Sequence, residues 1–384
     1  MVVNTWSNIQ RATDAQIIEW AEAQSWARDM AACQQDALWH AEGDVWTHTK
    51  MVCAELERLP EWPALDRAAQ IKLLLTGVFH DAGKPAVTVL DPDTGRTRSP
   101  KHAIAGEALA RQVLRGLGCD LAMREEIAAL VRFHGRPPYL LEKAKPEHEV
   151  ISLSWRVNNR LLYLFALADT RGRYAKEMSR PEENLHLWKM LAEEHGCFDG
   201  PYAFANDHAR FLFYREQLSS LHYVPHEKHR CTVTLMSGLP GAGKDTWLAN
   251  HRPNLPVVAL DAIRDALDLA ATDNQGEVVQ TAREQCREHL RACTSFAFNA
   301  TNITRQMRQR WIQLFEDYDA RIEIVYVEPP LGTILSQNRH RANPVPEAVI
   351  LRLLEKLEPP TLAECHDLHL VEDCRSTNAS MRPS

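Results

Sequence analysis

The sequence predicts two domains of different class: an all-α domain over 1–228, then an α/β domain with a parallel sheet over 229–375, and a disordered tail over 376–384. Three observations carry this expectation. The chain has 384 residues, more than a single core ordinarily spans. Up to about residue 228, stretches such as AAQIKLLLTGVFHD and REEIAALVRFH repeat apolar residues at three- and four-residue intervals, the helical period, with almost no strand-like alternation. From Cys231, short β-rich runs (CTVTLM, LPVVALD, SFAFNAT, RIEIVYVE) alternate with helical stretches, the pattern of a parallel α/β sheet. The boundary falls in HYVPHEKHR, 222–230.

Composition narrows the class. With 45% hydrophobic and 25% charged residues and no apolar run long enough to span a bilayer, a soluble protein without a membrane partner is expected. The start, MVVNTWSNIQRATDAQ, has neither a basic region nor an apolar signal core, so a cytoplasmic location is expected. Nine cysteines, odd in number and never spaced C-x-x-C, argue for reduced thiols rather than a disulfide framework or a zinc ribbon. A net charge of −7 excludes a protein that coats nucleic acid along its length, but not one that holds the end of a strand.

The second domain opens on TVTLMSGLPGAGKDTWLANH, in which Gly238, Gly243 and Lys244 fit the phosphate-binding pattern G-x-x-x-x-G-K between a β-run and a helix. Gly238, Gly241 and Gly243 let backbone N–H groups point at a nucleotide's phosphates, the helix N-terminus adds its dipole, and Lys244 bridges the β- and γ-phosphates. Asp245 stands where a Ser or Thr is expected. Mg²⁺ is then held either by the hydroxyl of Thr246 or by the Asp245 carboxylate through water. The next strand delivers Asp261 to its C-terminal end, with Arg264 one turn later: a carboxylate to accept a hydroxyl proton and a guanidinium to grip a phosphate, with capping of its helix as a competing or coexisting role for Asp261. NATNITRQMRQR puts Asn299 and Asn302 at the end of a third strand, with Arg305 and Arg308 beyond. SQNRHRANPVP places Arg339 and Arg341 on a candidate lid over the transferring phosphate. In this order, the loop, DAIR, NATN, the Arg-rich lid and EPPTLAECH resemble the kinase domain of the polynucleotide 5′-kinase family over most of residues 231–371. The resemblance implies ATP-dependent phosphorylation of a 5′-hydroxyl, with Asp261 as base and Arg264 on the acceptor's phosphate; Asn299 occupies that family's Asp position.

In the first domain, LLLTGVFHDAGKP ends an apolar helix with the adjacent pair His80-Asp81, followed by Lys84. His48 in DVWTHTKMVC and Asp169 in LLYLFALADTRGR each put a polar residue on an apolar helical stretch, where burial demands a partner. A His-Asp pair with a His upstream and an Asp downstream resembles the metal-enclosing set of HD phosphohydrolases, over roughly residues 40–175. His102 and His134 lie in the order found in HD proteins that hold a second metal with Asp81 bridging. The resemblance implies one or two divalent ions and phosphoester hydrolysis. The mixed imidazole and carboxylate donors favour Mn, Fe, Co, Ni or Zn over Mg. Lys84 is the first candidate for the substrate phosphate, with Arg136 and Arg171 behind it.

Together the halves resemble the bacterial HD-Pnk family of RNA end-healing enzymes. This implies a kinase using ATP or another NTP with Mg²⁺, an HD phosphatase acting on 2′,3′-cyclic and 2′/3′-phosphate ends, RNA or DNA ends as substrates, and a separate RNA ligase downstream. Two alternatives stay open: a nucleotide-salvage kinase fused to an HD nucleotidase, and an ATP-binding switch whose HD domain is an inactive interaction module.

Overall fold

The computed structural model describes residues 4–36, 38–174, 179–270 and 274–374, and it divides into two compact units between Ala203 and Phe204. The expected tail over 376–384 lies outside the described residues. No helix among those described is long and apolar enough to cross a membrane. The nine cysteines are free thiols, most of them buried.

The first unit is helical. Its helix Val45–Arg58 starts where the Asp44 carboxylate accepts the Thr47 N–H at 2.8 Å, and it buries one stripe: Val45, His48, Thr49, Val52, Cys53 and Leu56. Helix Arg67–Phe79, capped by Asp66, and helix Asn159–Arg171, capped by Asn158, are buried nearly all round over Leu73–Phe79 and Leu161–Thr170. They run through the core, which is why they read as the most apolar stretches. Helices His102–Gly116 and Leu121–Phe133 pack beside them. Gly83 permits the tightest approach, because a Cβ there would sit 2.2 Å from the carbonyl oxygen of His102. A two-stranded antiparallel hairpin, β1 (Val89–Leu90) and β2 (Thr97–Arg98), interrupts the otherwise helical unit.

The second unit holds a five-stranded parallel sheet of β3 (Cys231–Ser237), β4 (Val257–Ala259), β5 (Phe296–Asn299), β6 (Ala320–Val327) and β7 (Asp367–Val371), in the order β4-β5-β3-β6-β7. From β3 the chain first builds one side of the sheet and then crosses to the other. The C-terminal end of β3 is therefore the switch point where such sheets bind ligands. Both faces are covered: Val233, Leu235, Phe296, Phe298, Ile322 and Ile324 pack on one side, Met236, Ala297, Val325 and Val327 on the other. The central strands thus read as unbroken apolar runs.

One expectation needs correction. The boundary expected at 228 does not coincide with the division after Ala203, because helix Asp207–Tyr214 is built into the second unit: Arg210 donates to the carbonyls of Leu362 and Cys365 at 3.3 Å, and Phe211 enters the sheet's core. Arg308 lies on helix Arg305–Glu316, as expected. It is fully buried in a bidentate pair with Glu364 at 2.8 and 3.0 Å, and it donates to the carbonyls of Asn302 and Glu358.

Candidate functional sites

Five helical segments of the first unit bring six side chains into one pocket. His48 comes from the first turn of Val45–Arg58, His80 and Asp81 from just past Arg67–Phe79, His102 from the start of its helix, His134 from the end of Leu121–Phe133, and Asp169 from Asn159–Arg171. All except His102 are buried. Ligand atoms of His48, His80 and Asp169 lie within 4.8 Å of one another, and so do those of Asp81, His102 and His134. Asp81 touches both groups, with Oδ2 at 3.3 Å from His80 Nε2 and Oδ1 at 3.5 Å from His102 Nε2.

The proton inventory fits a metal. Nδ1 of His80, His102 and His134 lies 2.8 to 2.9 Å from the carbonyls of Gly77, Ser99 and Val131, and His48 Nδ1 lies 3.1 Å from the Gly172 carbonyl. A carbonyl only accepts, so Nδ1 of His80, His102 and His134 carries the proton and Nε2 turns its lone pair inward. His48 Nε2 instead lies 3.0 Å from Asp169 Oδ1; burial works to lower the His48 pKa, but that carboxylate and Glu42 outweigh it and raise it. His80 Nε2 is buried with no hydrogen-bond partner, and the Nε2 atoms of His102 and His134 face each other at 3.4 Å with no proton to share. Burial and the neighbouring His80 and His102 push the His134 pKa down to about 3, keeping it neutral.

Glu42 and His40 were not legible as part of this site. Glu42 is buried against His48 Nδ1 at 3.0 Å and His40 Nδ1 at 2.8 Å, and it accepts the Tyr174 N–H at 3.0 Å. Burial works to raise its pKa, but these donors outweigh it and hold the carboxylate well below its ordinary range. Glu42 fixes the ring of His48 from behind. We expect Glu42→Gln to lower transition-metal affinity about 10- to 100-fold with the fold retained, measured by competition with a chromogenic chelator. Lys84 lies with Nζ 2.7 Å from Asp81 and 2.6 Å from Gln35 Oε1, so it faces the carboxylate rather than solvent. The two further candidates are turned to carboxylates: Arg136 to Glu149 at 3.0 Å and Arg171 to Glu182.

In the second unit a cleft of about 1230 Å³ opens at the C-terminal end of β3. Gly238, Gly241 and Gly243 all have positive φ, and a Cβ on Gly238 would lie 2.4 Å from the Val327 carbonyl, so the loop cradles phosphate-sized space only with glycine there. Lys244, the first residue of helix Lys244–His251, is buried and donates to the carbonyls of Gly238 and Leu239 at 3.0 and 3.1 Å. Burial pushes its pKa down to about 8, against the pull of Asp245 and Asp261. Asp245 and Thr246 both line the cleft, and Asp245 Oδ1 accepts from Asn299 Nδ2 at 2.5 Å. The residue in the hydroxyl position of the loop is thus paired with the residue that ends β5.

Asp261 sits in the first turn of helix Leu260–Ala266, whose N-cap is Ala259, so it does not cap the helix. Arg264 donates to it at 2.6 Å and Arg341 approaches it at 3.4 Å. Burial would raise the Asp261 pKa; Arg264, Arg341 and Lys244 outweigh it and lower it. Of the two lid arginines, Arg341 lines the cleft. Arg339 does not, and its Nε reaches back 3.3 Å to the carbonyl of Leu335. Asn302 is also structural: it holds a left-handed turn (φ 44°) and donates to the Met236 carbonyl at 2.8 Å.

A third cluster differs in chemistry. His208, His229 and His366 bring ring nitrogens within 4.8 Å. Here the Ile322 N–H donates to His366 Nδ1 at 3.1 Å, so the neutral ring carries its proton on Nε2, which lies 3.2 Å from His208 Nδ1. Burial, aided by nearby cations and imidazoles, pushes the His366 pKa down to about 2. With its inward nitrogen protonated, His366 offers no lone pair, and the trio is a hydrogen-bonded stack rather than a metal centre.

Comparison with known proteins agrees with this division. The HD domain family matches residues 44–169, and an AAA domain family (AAA_33) matches residues 233–360. The chain is 22% identical over 143 residues to the L-seryl-tRNA(Sec) kinase of Methanococcus maripaludis, 35% of this chain and 56% of that protein. It is 37% identical over 89 residues to the CC-adding tRNA nucleotidyltransferase of Thermus thermophilus, 23% of this chain and 19% of that protein. The chain thus spans just over half of the first relative and about a fifth of the second. A solved sugar kinase from Janibacter sp. aligns with 38% of this chain and 87% of its own, at 18% identity and a TM-score of 0.30. The chain joins an HD domain to a P-loop kinase-like domain.

Proposed function

We propose that this chain heals broken RNA ends, phosphorylating the 5′-hydroxyl in its second unit and removing 2′,3′-cyclic or 2′/3′-phosphate in its first. The supporting observation is that Asp261 and Arg264 line the same cleft as Lys244, so an acceptor hydroxyl and a donor phosphate meet there, in a chain that also holds a phosphohydrolase-type pocket. That the two relatives described above carry tRNA in their names supports RNA as the acceptor class.

In the kinase cleft, Lys244 and the loop N–H groups hold the β- and γ-phosphates of ATP or another NTP, with Mg²⁺ beside Asp245 and Thr246. Asp261 orients the 5′-hydroxyl and takes its proton as the oxygen bonds to the γ-phosphorus and the nucleoside diphosphate departs. A carboxylate held below its ordinary range is a weak base, suited to a loose transition state in which the proton leaves late. Arg264 holds the acceptor's phosphate and Arg341 neutralises charge on the transferred group. In the HD pocket, His48, His80, Asp81, His102, His134 and Asp169 would hold one or two of Mn, Fe, Co, Ni or Zn, which when bound supply a Lewis acid and a water of lowered pKa. Lys84 puts a cation beside Asp81, where the substrate phosphate has to sit. Ends left as 5′-phosphate and 3′-hydroxyl are what a separate RNA ligase requires.

The test is end-labelling with γ-labelled ATP, Mg²⁺ and a 5′-hydroxyl RNA, comparing wild type with Asp261→Asn. We expect label on the RNA and a drop of about 10² to 10⁴-fold in kcat for the variant. Label on free nucleosides with RNA untouched would replace this reading by nucleotide salvage; no transfer to either, in protein that retains no transition metal, would leave an ATP-binding switch.

A further inference from the structure

We propose that a second groove on the kinase unit, of about 800 Å³, carries the single strand that trails from the 5′ end held in the cleft. This rests on the RNA-end reading above. The groove is separate from the cleft but built on the same two helices. From Gly276–Arg291, Val278 and Val279 line the cleft and Arg283 lines the groove; from Arg305–Glu316, Met307 lines the cleft while Arg305, Gln306, Gln309 and Arg310 line the groove. Val279 and Arg283 are four residues apart, about 6 Å along a helix. The groove therefore starts one turn from the cleft wall.

Its charge is what singles it out. Two carboxylates border it: Glu364 is neutralised by the buried Arg308 at 2.8 and 3.0 Å, and the exposed Glu358, whose Oε2 accepts the backbone N–H of Arg305 at 2.6 Å, keeps its charge against three guanidinia. A fourth guanidinium, Arg215, is taken by Glu316. Arg283, Arg305 and Arg310 remain with no ion-pair partner given by the described residues. Arg305 and Arg310 are exposed, and Arg283 lies 6.0 Å over the Trp311 ring. Three guanidinia beside glutamine amides, on a chain of net charge −7, are a local surplus of donors suited to phosphodiesters and ribose hydroxyls. A free nucleotide would be accommodated by the cleft alone; a donor-rich track leading away from it has a use only if the acceptor continues as a chain. Phosphates along a strand also satisfy separated guanidinia without requiring a broadly basic protein.

The test is the double variant Arg305→Ala/Arg310→Ala, two exposed helical positions where alanine preserves helix propensity. KM and kcat are measured for 5′-hydroxyl RNAs of two and of twelve nucleotides, and the salt dependence of twelve-mer binding is followed by fluorescence anisotropy. Expected are an unchanged melting temperature, unchanged kcat and KM on the dinucleotide, a KM for the twelve-mer raised about tenfold, and a log–log salt slope reduced by roughly 1.4 for two lost contacts to a single strand. Equal effects on both RNAs, or none on the twelve-mer, would overturn the groove while leaving the kinase reading intact. Failure of the wild type to phosphorylate either RNA would instead remove the RNA-end reading, and the groove with it.

Discussion

Asp81→Asn is expected to strip the first unit of bound transition metal and to lower hydrolysis of cyclic and terminal phosphate ends by at least about a thousandfold, the several kcal/mol that metal-centred charge stabilisation supplies. One carboxylate borders both halves of the ligand set: Oδ2 lies 3.3 Å from His80 Nε2 and 3.9 Å from His48 Nε2, and Oδ1 lies 3.5 Å from His102 Nε2. An amide in its place keeps the shape, removes the charge, and turns an N–H toward nitrogens whose lone pairs point inward. It also leaves the Lys84 ammonium, 2.7 Å away and largely buried, without its counter-charge. Burial by itself would raise the Asp81 pKa; Lys84 and His80 outweigh it and keep the group ionised well below its ordinary range. The measurement is metal content by mass spectrometry on protein purified without chelator, beside hydrolysis of a 3′-phosphate RNA. Retained metal with retained hydrolysis would sink the assignment. Because the kinase sheet has its own core, 5′-phosphorylation should persist in the same preparation and serves as the control for folding.

What could be read from the sequence was local. His80 and Asp81 stand out because they are adjacent, and His48 and Asp169 because each is a polar residue on an apolar helix whose burial has to be satisfied. The phosphate-binding loop carries strand, glycines, lysine and helix within a single stretch. What could not be read depends on chain path. Glu42 precedes the helix of His48 and carries no periodic signal; only the fold sets it against Nδ1 of that ring. Asp245 and Asn299 are 54 residues apart, and their pairing follows from the parallel neighbourhood of β3 and β5. In RQMRQR, Arg308 and Arg310 are equivalent by composition, yet one is fully buried on Glu364 and the other exposed in the groove. Helix Asp207–Tyr214 has the same period as those before it, and nothing in that period says which unit buries its apolar face. The edge strand β7 is only half-buried along most of its length and lacks the apolar run that marked its neighbours.

Lys244→Met is expected to abolish 5′-phosphorylation and, at neutral pH, to stabilise the kinase unit. Loss of activity follows from the position of Nζ, which is held by the Gly238 and Leu239 carbonyls at the base of the loop where the β- and γ-phosphates bind. The gain in stability follows from the same position. Burial lowers the Lys244 pKa from its ordinary 10.5 to about 8, so the folded state binds this proton less well than the unfolded chain. For a base lowered in this way the penalty is complete below pH 8, where both states are protonated, and it fades as pH rises from 8 towards 10.5, where the unfolded state alone still holds the proton. At about 1.4 kcal/mol per pKa unit the penalty is at most roughly 3 kcal/mol; the Leu239 carbonyl keeps the Ala242 N–H at 3.1 Å, and the loss of the Lys244 donor from the Gly238 carbonyl offsets about 1 kcal/mol of what methionine recovers. Melting curves at pH 7 and pH 9.5 test the sign. Methionine should raise the transition more at pH 7 than at pH 9.5, while label transfer to RNA falls to background at both. A variant less stable than wild type at pH 7 would mean that Nζ contributes more through its two hydrogen bonds than burial takes away, and the ammonium would then be a structural clamp on the loop. A gain in stability together with lost transfer marks a charge that the fold alone does not favour, and its retention is then explained by the phosphates it binds.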